Sequence, residues 1–440
     1  MKKSMLFLAI IAVFALSANA QKVAFEEYDL DNGLHVILHQ DNSAPVITVE
    51  VMYHVGAKDE VDGKTGMAHF YEHLLSTGTK NIERGKWREI QSSRGGNGNA
   101  STNWDRTNYY QTYPSNELKL ALWMESERMF HPIIDQKAVD TQNEVVKEEK
   151  RQRMDNAPYG KVIYGDVYKH IFDDHNYGRP MIGYIKDLDA AKLEEFEDFY
   201  NTWYMPNNAV LVVAGDFEKK QAKAWIDGYF SEIPKKEAPN RVKIVEKERT
   251  SEKRVKEYDS NIQLPLIGIA FKTPSFKERE AKILDVISTV LSNGKSSRLY
   301  KKLVDDKKMA LQAFSFSRPL EDYSVYIIGS ILAQGTDSDA LIKEIDEEII
   351  KLQTELISDE DLQKVRNKFE NQFVASNSSI RGIATTLATN YILAGDTNRI
   401  NKELEVINSI TKEEIREVAK KYLAKNRRVI IDYLPESQKK

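Results

Sequence analysis

The chain is 440 residues long, 41% hydrophobic and 30% charged. That apolar fraction excludes an intrinsically disordered chain, and the length points to more than one domain at roughly 100–200 residues each. A net charge of −4 without a long basic run excludes the footprint of a nucleic-acid-binding protein. The absence of cysteine excludes disulfides, thiolate metal sites, a cysteine nucleophile and a lipid anchor on cysteine.

Lys2 and Lys3 precede an apolar run from Met5 to Leu16, which ends in Ser-Ala-Asn-Ala before Gln21. A basic start, a short apolar stretch and an Ala-x-Ala end predict a signal peptide over residues 1–20, hence export, with the periplasm as destination. The run is too short for a spanning helix, which needs about 20 apolar residues, and no later segment approaches that length. Cleavage after Ala20 removes two lysines and no acid, which takes the formal charge from −4 to −6.

From Phe25 to Ala57 the chain alternates in strand fashion, with Asn32-Gly33 as a hairpin signal. A helix follows around residues 66–77, then a Gly/Asn-rich turn at Gly95–Asn99 and a strand at 107–113. Helical patterns cover 116–154 and 193–204, and "AVLVVAGD" at 209–216 reads as a buried strand. The charged stretch 234–254, with Pro234 and Pro239, reads as a linker. Strand, helix and strand then recur, followed by long helices from 337 to 377 and a final helix and strand. Glu195, Phe196, Phe199, Trp203, Asn207 and Val210 align without gaps on Glu414, Ile415, Val418, Tyr422, Asn426 and Val429, an offset of 219. The repeat implies an internal duplication. The fold class is therefore α+β, with two similar domains at 21–233 and 255–440, each an antiparallel-rich sheet packed with helices.

The helix near residue 70 carries His69-Phe70-Tyr71-Glu72-His73. His69 and His73 lie one turn apart on one face, so two imidazoles can converge on one ion, with Glu72 beside them. The order His-x-x-Glu-His inverts the commoner zinc-protease motif and marks the inverzincins. A zinc site also needs a third protein ligand. The other histidines are set aside: His35 and His39 share a strand face with nothing acidic joining them, and His54, His131, His170 and His175 are isolated.

Around this motif, "GKTGMAHFYEHLLSTGTKN" resembles the metal helix of the pitrilysin family, which includes insulysin and the mitochondrial processing peptidase. "GGNGNASTNWDRTNYYQTYP", "PNNAVLVVAGDF" and "GKSSRLYKKL" resemble further family segments in the same order. The resemblance covers essentially the whole mature chain. It implies the processing-peptidase-like metallohydrolase fold and zinc-dependent hydrolysis of peptides, with Glu72 as the base. It also implies that Glu149 is the third ligand; Glu148, about 100° around the helix, is the alternative. Asn99 and Ala100 would flank a substrate bound as an added strand.

Two departures accompany the resemblance. The family usually has a second Glu seven residues before the ligand; here that position is Gln142, which supplies no negative charge beside the ion. Active members usually carry an Arg and, seven residues later, a Tyr in the second domain; Val304 and Leu311 occupy those positions. The offset of 219 also sets Ser288, Leu291, Ser292 and Lys368 opposite His69, Glu72, His73 and Glu149, and no histidine follows His175. The second domain is then an inactive duplicate that helps enclose substrate. The expected protein is the metal-bearing peptidase subunit of a heteromeric pair, whose homologous partner supplies the Arg/Tyr pair. The alternative is a non-catalytic peptide-binding or scaffold subunit of the same fold.

Overall fold

The strand β6 (Ala209–Gly215) is apolar at every position because both of its faces are covered. Ala209, Leu211 and Val213 enter one core, and Val210, Val212 and Ala214 enter another, as a two-residue side-chain period requires. In the computed structural model, which describes residues 22–439, β6 lies inside a sheet with β1 (Glu26–Asp29), β2 (His35–Gln40), β3 (Val46–Tyr53), β4 (Asn97–Thr102) and β5 (Thr107–Pro114). Its order is β1-β2-β6-β3-β5-β4. The predicted signal peptide lies outside the described residues.

A second sheet, β7-β11-β8-β10-β9, is built from β7 (Lys253–Asp259), β8 (Leu266–Pro274), β9 (Ala310–Arg318), β10 (Tyr323–Leu332) and β11 (Arg428–Pro435). Both sheets are mixed: β2 runs parallel to β6, and β7 parallel to β11, with antiparallel pairing elsewhere. Helix Leu193–Trp203 and β6 correspond in order and spacing to helix Lys412–Tyr422 and β11. The architecture is α+β on two sheets of matching order, with β1 as an additional strand on the first.

The sheets do not keep their helices to themselves. Helix Ile380–Ala394, late in the chain, lays Ile383, Ala384, Leu387 and Ala388 on Ile37, Met52, Val210 and Val212 of the first sheet. In return Val162, Val167, Tyr168 and Ile171 pack on Val325, Ile327, Val429 and Ile431 of the second. The stretch read as a linker has no helix or strand over 236–252, but its last two residues, Lys253 and Arg254, already belong to β7. It is pinned along its length: Arg241 binds Asp59 at 2.7 Å, and buried Glu246 accepts the backbone N–H groups of Asp173, Asp174 and His175.

The turn between β9 and β10 reaches across to the first half. Lys58 Nζ lies 2.7 Å from Glu321 and 3.0 Å from both Asp105 and Asp322, while His54 Nε2 lies 2.7 Å from Glu321. Asp105 is fully buried. Lys58→Met is expected to destabilise the fold by about 3–5 kcal/mol, because it leaves the buried Asp105 carboxylate without its counter-charge; urea unfolding at neutral pH checks this. Burial would raise the Asp322 carboxyl, but His175 and Lys58 outweigh it and lower it to about 2. A lowered folded-state pKa stabilises above the unfolded value, near 4, and that contribution is lost as the pH falls towards 2. The urea midpoint should accordingly drop across that window, and drop less in Lys58→Met.

Candidate metal centre and substrate cleft

The helix Met67–Leu74 that carries both histidines is fixed at each end by groups distant in sequence. At its start Gly66 adopts φ +91°, and a Cβ there would stand 2.6 Å from the Ile182 carbonyl, so only glycine fits. The buried Glu60 carboxylate accepts from Gly66 N at 2.7 Å and Ala68 N at 2.9 Å, which satisfies donors that a helix N-terminus leaves free. Burial pushes the Glu60 carboxyl up to about 8, against the pull of those two donors. At the other end Arg128 donates to the Leu75 carbonyl at 2.9 Å and to Ser76 Oγ at 3.0 Å. Its guanidinium lies over Trp87 and Tyr109 and pairs with Glu125 at 2.9 Å.

On this helix the His69 and His73 ring centroids are 4.9 Å apart. Glu149, on helix Gln136–Lys150, meets them: its Oε2 lies 2.9 Å from His73 Nε2 and 3.6 Å from His69 Nε2. Ligand atoms of all three residues fall within 4.8 Å of one another. His73 Nε2 is buried and lacks the alignment of a hydrogen bond to any partner, Glu149 included, and His69 Nδ1 is likewise unpartnered among the described residues. Two imidazoles and one carboxylate turned on a common point, with a buried nitrogen unspent, fit a zinc ion. Burial would raise the Glu149 carboxyl, but the two imidazoles outweigh it and hold it well below the usual range. Arg153 binds its other oxygen at 2.9 Å. Glu148 turns away to Arg151 and Gln152. Val146 is buried in the core, whereas its neighbour Val145 is exposed and lines a cavity.

That cavity, about 650 Å³, opens beside the three donors. Glu72, His73, Asn99, Ala100 and Gln142 all contribute to its wall. Among the described residues the Glu72 carboxylate takes part in no hydrogen bond, unlike that of Glu149's neighbour Glu148. Asn99 and Ala100 lie in β4, which among the described residues pairs only with β5 and forms the edge of its sheet. The segment Gly95–Asn99, read as a turn, is therefore strand from Asn97 onward. Arg106 braces that strand, donating to the Ser101 carbonyl at 2.7 Å and to Ser101 Oγ at 2.6 Å. Glu60, Arg128 and Arg106 escaped sequence reasoning, because isolated charged residues announce no spacing; only tertiary contact gives them a place.

The remaining histidines are not isolated. His35 lies 2.7 Å from Asp29, His54 2.7 Å from Glu321, His170 2.6 Å from Glu257, His175 3.4 Å from Asp322 and His131 3.3 Å from Glu127. Strand pairing brings Asp29 to His35, one helical turn brings Glu127 to His131, and contact between distant segments makes the other three pairs, while His39 Nδ1 meets only the Ala24 carbonyl, at 2.7 Å. In the second half Ser288 and Ser292 bond the Ser315 carbonyl of β9 at 2.7 and 3.0 Å. Val304 is partly buried against the second core, and Leu311 is 55% exposed on β9, an edge strand.

Comparison with known proteins assigns residues 35–184 to "Insulinase (Peptidase family M16)" and residues 190–369 to "Peptidase M16 inactive domain". The chain belongs to the M16 peptidase family. It is 29% identical over 402 residues to the zinc protease PqqE of Helicobacter pylori, covering 90% of each chain. The crystal structure of a protease from the same organism superposes with a TM-score of 0.89 at 28% identity, over 93% of this chain and 99% of that one. The periplasmic protease PqqL of Escherichia coli shares the fold at a TM-score of 0.78 and 20% identity; the match covers 95% of this chain but 48% of PqqL. The M16 match to an inactive domain falls where histidines are absent from residue 176 onward.

Proposed function

We propose that this M16 chain is a zinc endopeptidase that cleaves extended peptides outside the cytoplasm, as the metal-bearing half of a two-subunit assembly. The observation that carries the reading is the meeting of His69, His73 and Glu149 within 4.8 Å, beside a free carboxylate and an open strand edge. His69, His73 and Glu149 would hold the ion. Bound zinc supplies Lewis acidity to a scissile carbonyl and to water. Glu72 accepts a proton from the attacking water and returns it to the leaving amine. The β4 edge at Asn99 and Ala100 holds the peptide by main-chain bonds, which favours unfolded substrates.

The names of the relatives support zinc and proteolysis, and the N-terminal segment supports export. Among the described residues no helix is long and apolar enough to cross a membrane. PqqL, twice the length of this match, supports the idea that one such chain is half of a working unit. Gln142, at the cavity wall where an acid is usual in the family, favours the second reading, a non-catalytic subunit that binds peptides. Metal analysis of the purified mature protein, alongside a fluorogenic-peptide assay with and without chelator, separates the two. Stoichiometric zinc with chelator-sensitive cleavage is expected. Peptide binding without zinc or cleavage, alone or with a homologous partner, would establish the second reading instead.

A further inference from the structure

The wall of the cavity beside the metal centre is cationic, although the chain as a whole is acidic. Arg84, Arg88, Arg128 and Lys137 line it, and Glu72 is the one carboxylate among the lining residues. Arg84 and Arg128 are engaged, by Asp135 at 2.5 Å and by Glu125 at 2.9 Å. Arg88 and Lys137 are exposed and enter no ion pair among the described residues. Gln142 bears on the same balance, because it leaves neutral a wall position where an acid would have offset one of these cations. The rest of the wall is largely apolar or uncharged, with Trp87, Ala138 and Val145 among its members.

We infer that this cavity is a subsite for an acidic side chain of the substrate peptide, Asp or Glu, received by Arg88 and Lys137. The inference rests on the peptidase reading and narrows its substrate class. A carboxylate entering the cavity meets two cations that no ion pair holds among the described residues, whereas a lysine or arginine would meet like charge. Exposed ion pairs contribute modestly, so two together should give roughly a three- to tenfold preference. The attraction should also weaken as salt rises, since the charges face solvent.

The test uses the mature Glu72→Gln protein, which should bind peptide without consuming it, and three labelled peptides of equal length. They carry Glu, Gln or Lys at the central positions. Fluorescence anisotropy should show the Glu peptide binding roughly three- to tenfold more tightly than the Gln peptide at low ionic strength, with the gap closing in high salt. Arg88→Gln/Lys137→Gln should abolish the gap, by weakening the Glu peptide to the level of the Gln peptide. The gap should survive chelation of zinc, because the ion is not the receiving charge. Equal affinities, a preference for the Lys peptide, or a gap untouched by the double substitution would overturn the inference while leaving the peptidase reading in place. Failure of all three peptides to bind would count against both.

Discussion

Glu72→Gln is expected to retain zinc and to lower turnover by about 10²–10⁴-fold, the range typical for loss of a positioned general base. The amide is nearly isosteric, so the helix and its two histidines should stay where Glu60 and Arg128 hold them. It cannot accept the proton of the attacking water. His73→Ala makes the contrast: it removes one of three donors and should abolish metal and hydrolysis together. Metal content and kcat measured on both variants separate the base from the ligand. Near wild-type turnover in Glu72→Gln would show that another group takes the proton. Full metal retention in His73→Ala would remove His73 from the ion's ligands.

Mixing the chain with a homologous subunit that carries the Arg/Tyr pair should raise peptidase activity by about a hundred- to a thousandfold over either protein alone. That is the usual effect of a donor to developing oxyanion charge. This chain has Val304 and Leu311 at the corresponding positions, one tucked against the second core and the other exposed on the edge strand β9. The nearby Lys307 is held by Glu344 at 2.5 Å, which makes it a poor substitute donor. Activity assays on the two purified proteins, separately and mixed, check the expectation. Full activity from this chain alone would refute the pairing.

Much of the candidate site was legible before the fold. His69 and His73 declare themselves because helical geometry converts a four-residue spacing into one face. Glu149 was legible only through resemblance to a family, since its 76-residue separation from His73 carries no periodic signal. Even then the choice between Glu148 and Glu149 needed the register of helix Gln136–Lys150, which turns one carboxylate to the imidazoles and the other to Arg151. The carboxylate partners of His35 and His54 were invisible for the same reason. Strand pairing brings Asp29 to His35 and a distant turn brings Glu321 to His54.

The strands β4, β7 and β9 could not be read along the chain, whereas the other eight strands, the main helices, the repeat and the two-histidine face could. Each of these is written in local periodicity or in a repeat at constant offset, and local backbone geometry enforces both. The tertiary structure decided what covers each sheet. Helix Ile380–Ala394 shows only an apolar face, and nothing along the chain says whether the nearer or the farther sheet receives it. It lies on the first sheet, while residues 162–171 lie on the second. The choice follows from burial: β6 is apolar on both faces, β11 buries Ile430 on one face and Val429, Ile431 and Tyr433 on the other, and each needs a second layer that its own half does not supply. The cluster at Lys58 and the bracing of the histidine helix by Glu60 and Arg128 belong to the same level. Isolated charges leave no pattern in a sequence, and their partners are chosen by the packing that buries them.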